Sequence, residues 1–205
     1  MSDRLTTLTR KPDRAGDRRL LDEVFDHCRV ATLSTVLGDE PWAVPTFVVR
    51  DGDRLLLHGS TGAGAFRHVT AGAKVAVSAY LIDGLVIAAR AFNHSANYRS
   101  AVVRGACRPI SDADAVHALD RFTDGLVPGR AAECPPHSAK ELAQTLTLEL
   151  PITEDNWVAK QRDAPPAASA GDVWTGVVPI MVGYGTPEQT TTGPVPDSVL
   201  RLLGQ

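Results

Sequence analysis

The stretch AFNHSANYRSAVVRG, residues 91–105, decides how this chain folds. Asn93, His94, Ser95, Asn97, Tyr98, Arg99 and Ser100 form a polar cluster that runs directly into Ala101-Val102-Val103. A β-strand that begins wet and ends dry suits the mouth of a pocket, with donors at the entrance and a sheet to hold them rigid. Arg99 brings a permanent cation with a planar fork of N–H donors, and Tyr98 and Ser100 bring hydroxyls. Such a group can hold a phosphate or a carboxylate. On residue chemistry alone, a strand end that is simply polar explains the cluster equally well.

Outward from this strand, the periodicity is mostly that of a β protein. Residues 1–16 read as a polar N-terminal arm. From Asp17, Leu20, Leu21, Val24, Phe25 and Cys28 recur at helical spacing. The period then changes to two: Arg29–Val36 is a strand, turned by Gly38-Asp39, and Trp42–Val49 is a second. Pro45 inside it predicts an edge or a break in the ladder. Asp51-Gly52-Asp53 turns the chain into a third strand ending at His58. Lys74–Leu81 and Leu85–Phe92 read as two strands hinged at Asp83-Gly84, and Asn97–Cys107 as the sixth. Ser111 followed by Asp114 resembles a capping box that starts a helix. Lys140 opens a short helix, Thr145–Leu150 is a further strand, and Thr186–Pro196 is turn-rich. Six or seven short strands with few helices predict a mainly β fold, a small antiparallel barrel with flanking helices. The domain spans 17–182, and 183–205 forms a C-terminal tail.

Composition narrows the function classes. The chain has 205 residues, 43% hydrophobic and 22% charged, with a formal net charge of −3. It carries no basic block that would neutralise phosphates in series, which argues against a nucleic-acid partner. No window approaches the ~20 apolar residues of a membrane span, and the N-terminus lacks the apolar core of a secretory signal. Cys28, Cys107 and Cys134 are odd in number and widely spaced, giving no disulfide framework. The expectation is a cytoplasmic protein with neither membrane nor nucleic-acid partner.

Several residues suit binding chemistry. Gly59 to Ala65 is a Gly-rich turn opening a helix, where backbone N–H groups attract anions and Ser60 and Thr61 add hydroxyls. It is neither a dinucleotide fingerprint nor a P-loop. His58 ends the strand just before it. His94 has no second ligand at i+2, i+3 or i+4, so a structural metal is not expected. Ser95, His94 and Asp83 lack the G-x-S-x-G elbow of a hydrolase. Lys160 and Arg162 follow Trp157 on a strand that reads by default as a solvated edge. Trp174 either packs on a ring-shaped ligand or plugs the barrel.

The NYRS strand resembles that of the FMN-binding split-barrel proteins related to pyridoxamine 5'-phosphate oxidase, closest to the nitroimidazole-resistance reductase branch. Three more stretches match in order: Leu57-His58-Gly59-Ser60, Asp83-Gly84-Leu85-Val86, and Trp174-Thr175-Gly176-Val177-Val178-Pro179. The resemblance implies a six- to seven-stranded antiparallel split barrel and a homodimer with FMN at its interface. It implies a cofactor-binding set of Pro45, His58, Gly59, Ser60, Thr61, Arg67, Asn97, Tyr98, Arg99, Ser100, Lys160, Arg162 and Trp174. His58 would be the catalytic residue beside the flavin ring. The expected reaction passes hydride or electrons from a nicotinamide, NADH or NADPH, to a small electrophile. Relatives carry a cation two or three residues into the Gly-rich turn, where this chain has Gly64 and Ala65; Arg67, Arg99 or Arg104 would have to replace it. Three alternatives stay open: a heme-binding or heme-degrading protein with His58 or His94 as axial ligand, an F420-dependent reductase, and a non-catalytic flavin-binding module.

Overall fold

The computed structural model describes residues 11–168 and 172–204. Its ten strands are β1 (Val30–Leu37), β2 (Glu40–Phe47), β3 (Val49–Asp51), β4 (Arg54–Ser60), β5 (Lys74–Ile87), β6 (Ser95–Ala106), β7 (Arg108–Pro109), β8 (Thr145–Pro151), β9 (Trp157–Arg162) and β10 (Gly176–Pro179). Five α-helices accompany them: α1 (Arg18–His27), α2 (Gly64–Thr70), α3 (Asp112–Leu126), α4 (Ala139–Gln144) and α5 (Asp197–Leu202). One antiparallel sheet has the order β2-β1-β5-β6-β9, with β10 on the far half of β5. A second has the order β3-β4-β8-β7. The mainly β architecture predicted from periodicity is what the chain adopts, with flanking helices and two antiparallel sheets around a shared core.

That core follows from alternation. Leu33, Val77 and Val103 from the larger sheet and Leu55, Leu57, Leu148 and Leu150 from the smaller are all fully buried in one cluster. Helix α1 closes it with Leu20, Leu21, Val24 and Phe25, capped by Asp17, whose Oδ1 accepts from Leu20 N–H at 3.0 Å. Each fully buried leucine contributes about 1.5–3 kcal/mol relative to exposure. A smaller cluster joins Val49 and Leu56 to Ala118 and Phe122 of α3 on the other side of β3 and β4.

The structure corrects several sequence expectations. The two strands hinged at Asp83-Gly84 are one fourteen-residue strand, β5, whose register against β6 shifts between Ile82 and Gly84; a bulge bends a strand without ending it. The expected second strand divides after Phe47, so that β2 and β3 join different sheets. Residues 11–16 are anchored, for Gly16 N–H donates to Ala159 O at 2.9 Å and Ala15 bridges Lys160. Residues 1–10 of the expected N-terminal arm lie outside the described residues. Ser111 makes no side-chain cap to a backbone N–H; its hydroxyl donates to the Asp114 carboxylate at 2.7 Å. The reciprocal capping box instead belongs to Ser138 and Glu141. The Gly38-Asp39 turn does hold: both residues have positive φ, 56° and 66°, the backbone of a tight two-residue hairpin.

Candidate functional site

Burial alternates along β6. Asn97, Ala101 and Val103 are buried, so Tyr98, Ser100, Val102 and Arg104 point to the opposite face. Register extends that face sideways: Tyr80 of β5 stands opposite Ser100, and Ser100 opposite Lys160 of β9. Tyr98 stands opposite Arg162. Further across, Thr32 and Ser34 of β1 face Ser78 and Ala76, and Pro45 and Phe47 of β2 are exposed. Tyr80 is 65% exposed. As far as Ile82 on β5, these outward positions of β1, β2, β5, β6 and β9 carry no acidic side chain beyond Glu40. The result is a broad apolar face with hydroxyls across it, Lys160 and Arg162 along one edge, and Arg104 on the adjacent strand.

Two arginines of this region have different roles. Arg99 donates through Nε and Nη2 to Asp83, at 3.0 and 2.5 Å, and through Nη1 to Glu23 at 2.6 Å. The Asp83 carboxylate, first among several causes, raises its already high pKa. Its charge is neutralised twice. Arg162 donates through Nη1 to Asn97 Oδ1 and to Ala164 O, both neutral acceptors. Among the described residues neither Arg162 nor Lys160 pairs with a carboxylate. Asn97, only 5% exposed, also accepts from Ala164 N–H at 3.2 Å. The buried amide therefore fixes one end of the Arg162 fork and leaves its charge unpaired.

The other predicted group sits on the smaller sheet. Gly59 lies where the Phe66 ring crosses the strand, and a Cβ there would meet that ring at 2.8–2.9 Å. The glycine thus lets α2 close over β4. The turn's amides are largely taken: Thr61 N–H donates to Gln144 O at 3.1 Å, Ala63 N–H to Ser60 O at 2.9 Å, and Gly62 N–H to Ser60 Oγ at 3.2 Å. What remains are side chains. Thr61 and Arg67 line a hollow of about 400 Å³ together with Thr70 and Leu146.

His58 shares the Leu56 face of β4, away from the main core. Its ring meets Phe122 edge-on, centroids 4.3 Å apart. Among the described residues its buried Nδ1 has no hydrogen-bond partner, and neither has Oγ1 of Thr147, directly across on β8. Burial holds the imidazole below its ordinary pKa. Within one chain His58 and the turn after it belong to one sheet, whereas Asn97, Tyr98, Arg99, Ser100, Lys160 and Arg162 belong to the other. Trp174 is 63% exposed and plugs no barrel; its ring lies over Gly176, where a Cβ would meet it at 2.8 Å.

A further cavity of about 630 Å³ lies between the end of α1, the start of β1, the middle of β5 and the segment 180–184. Periodicity gave no sign of it, because no strand or helix is expected over 180–184, which straddles the end of the expected domain and the start of its tail. His27 and Arg29 line it beside Val30, Ile82, Arg99 and Val182. Its only sequence signal is the apolar run Ile180-Met181-Val182, placed outside any strand. No helix among the described residues is long and apolar enough to cross a membrane.

Comparison with known proteins follows this geometry. The family model for pyridoxamine 5'-phosphate oxidase matches residues 17–157. The structure of the FAD and heme binding protein from Mycobacterium smegmatis is 37% identical, superposes with a TM-score of 0.90, and the match covers 93% of this chain and 97% of that one. The flavocytochrome Anf3 from Azotobacter vinelandii is 31% identical with a TM-score of 0.88, over 98% and 96% of the two chains. A candidate 5-nitroimidazole antibiotic resistance protein from Bacteroides thetaiotaomicron shares the fold at 19% identity and a TM-score of 0.60, over 71% and 84%. A comparison with curated proteins finds no match.

Proposed function

Because this chain belongs to the pyridoxamine 5'-phosphate oxidase family, we propose that it is a redox protein that binds a flavin, FAD in preference to FMN or F420, together with a heme. The observation that carries the reading is the open sheet face, where hydroxyls and cations without carboxylate partners among the described residues occur, and the single acid, Glu40, sits at the far edge on β2. Two relatives above 30% identity support the choice of cofactors, one an FAD and heme binding protein and one a flavocytochrome.

The donor set fits a flavin. Arg162, held by Asn97, and the neighbouring Lys160 bind phosphate oxygens. Tyr98, Ser100 and Tyr80 orient the polar edge of the ligand. A second copy of the chain covers the face, excludes water and brings the Gly59–Arg67 region of one chain toward the cations of the other. Exposed Tyr80 and Phe47, with Phe92 at 95% exposure, supply the apolar contact such a homodimer requires. Arg99, paired to Asp83 and Glu23, positions the strand. The bound flavin supplies the electron transfer, and the protein selects what reaches it. Neutral His58 borders the turn, so it adds no positive charge beside a bound ring at neutral pH. The substrate class is a small electrophile reduced at the expense of a nicotinamide. The three cysteines are unpaired thiols, which fits a reducing, cytoplasmic setting.

The absorption spectrum of the purified protein, with mass identification of what acid releases, tests this. The expected result is FAD together with a heme Soret band. A colourless protein that binds neither added FAD nor added heme refutes it.

A further inference from the structure

We infer that the cavity beneath the 180–184 segment is the heme pocket and that His27 is the axial ligand, an assignment that rests on the two-cofactor reading above. A heme needs apolar walls, a nitrogen donor and cations for its carboxylates. The cavity of about 630 Å³ has Val30, Ile82 and Val182 in its walls, within the ordinary size of cofactor sites.

His27 carries the assignment. Its Nδ1 lies 2.8 Å from the carbonyl oxygen of Glu23, one helical turn back on α1. A carbonyl can only accept, so the proton sits on Nδ1 and Nε2 keeps its lone pair for a metal. That is the arrangement by which proteins fix the tautomer of a ligating histidine. Arg29 adds the cation: its Nη1 and Nε donate to the carbonyls of Asp26 and Leu126, at 2.7 and 3.3 Å, and among the described residues no carboxylate pairs with it at the cavity wall. Cys28 next door donates its thiol to Val30 O at 3.0 Å.

The other histidines fit less well. His94 has the same pattern toward Arg90 O at 3.2 Å, but unlike His27 it lines none of the described cavities. His58 has no partner to fix its tautomer and lies edge-on to Phe122. His68 uses Nε2 on the Val36 carbonyl at 3.0 Å.

The test is a heme titration of the full chain, read as Soret intensity per protomer and as ligation by electron paramagnetic resonance, with flavin content measured alongside. Wild type should bind heme with histidine ligation. His27→Ala should keep its flavin and bind heme at least roughly 100-fold more weakly, and added imidazole should restore the Soret band in His27→Gly. His58→Ala and His94→Ala should bind heme as wild type does. An unchanged Soret band and stoichiometry in His27→Ala overturns the assignment while leaving the two-cofactor reading intact. A wild-type protein that takes up no heme overturns both. Ile82→Trp adds bulk at the cavity wall and must exclude heme; retention of heme there also overturns the assignment.

Discussion

On the four-stranded sheet, helix α3 lies over β3 and β4 and seats Phe122 on Leu56, Val49 and the His58 ring. On the six-stranded sheet, Tyr80, Ser100 and Lys160 stand in a row across β5, β6 and β9 facing solvent. Both outer faces are built from alternating strands over the same core. One is closed by its own chain at the cost of two buried polar atoms without partners. The other is left apolar and hydroxyl-bearing, with Lys160 and Arg162 free of carboxylates among the described residues. A face closed from within contributes to stability, and the open face is the one proposed above to take the ligand and a second subunit.

The largest effect that can break this contrast lies on the closed side. Phe122→Ala removes the ring joining α3 to β4 and should cost about 3–5 kcal/mol in denaturant unfolding. Flavin affinity of the folded protein should stay within a factor of a few. A variant equally stable but unable to bind flavin would make the α3 face, not the open one, the ligand surface.

Next come the two arginines. Arg162→Ala should weaken flavin binding by about 1.5–3 kcal/mol, the scale of a charged hydrogen bond, with little change in thermal midpoint. Arg99→Ala should act the other way. It leaves Asp83 and Glu23 side by side without their cation, costing about 1–2 kcal/mol of stability for a part-exposed pair, while the folded protein binds flavin more nearly as wild type. Fluorescence titration against free flavin, paired with thermal melts, separates the two. If Arg99→Ala loses the flavin and Arg162→Ala keeps it, the roles assigned from their partners are reversed.

These residues also mark how far the sequence was legible. The strand around Asn97–Val103 announced itself because its polar-to-apolar switch is local and its period is two. The helix from Asp17 was equally plain, since its apolar residues recur at helical spacing. What could not be read was pairing. Arg99 and Arg162 look alike in sequence, and only folding brings Asp83 and Glu23 onto the first and the amide of Asn97 onto the second. The bulge in β5 was hidden for a related reason: Asp83-Gly84 is good turn chemistry, yet β6 and β10 hold both halves of the strand in one sheet. Ser111 and Ser138 make the same point on a smaller scale. Each precedes an acid three residues on, but only at Ser138 does the backbone bring the hydroxyl to the Glu141 amide, at 3.3 Å. The cavity beside His27 was illegible because its walls come from four separate parts of the chain.

The smallest expected effect concerns His58. Burial lowers its pKa in the folded state below the ordinary imidazole value near 6.5. Between that lowered value and about 6.5 the unfolded chain binds more protons than the folded one, so stability rises with pH through this window and is lost as pH falls through it. Above the window His58 is neutral in both states and contributes no pH dependence. Thermal midpoints of wild type and His58→Leu, followed from pH 7.5 down to about pH 5, should therefore diverge, with the wild type falling faster. The carboxylates titrate alike in both proteins and cancel from the difference. Parallel curves would mean that water or a ligand reaches the imidazole and solvates its charged form. In that case the α3 face is not closed from within, and the contrast between the two sheets fails at the residue where they differ most.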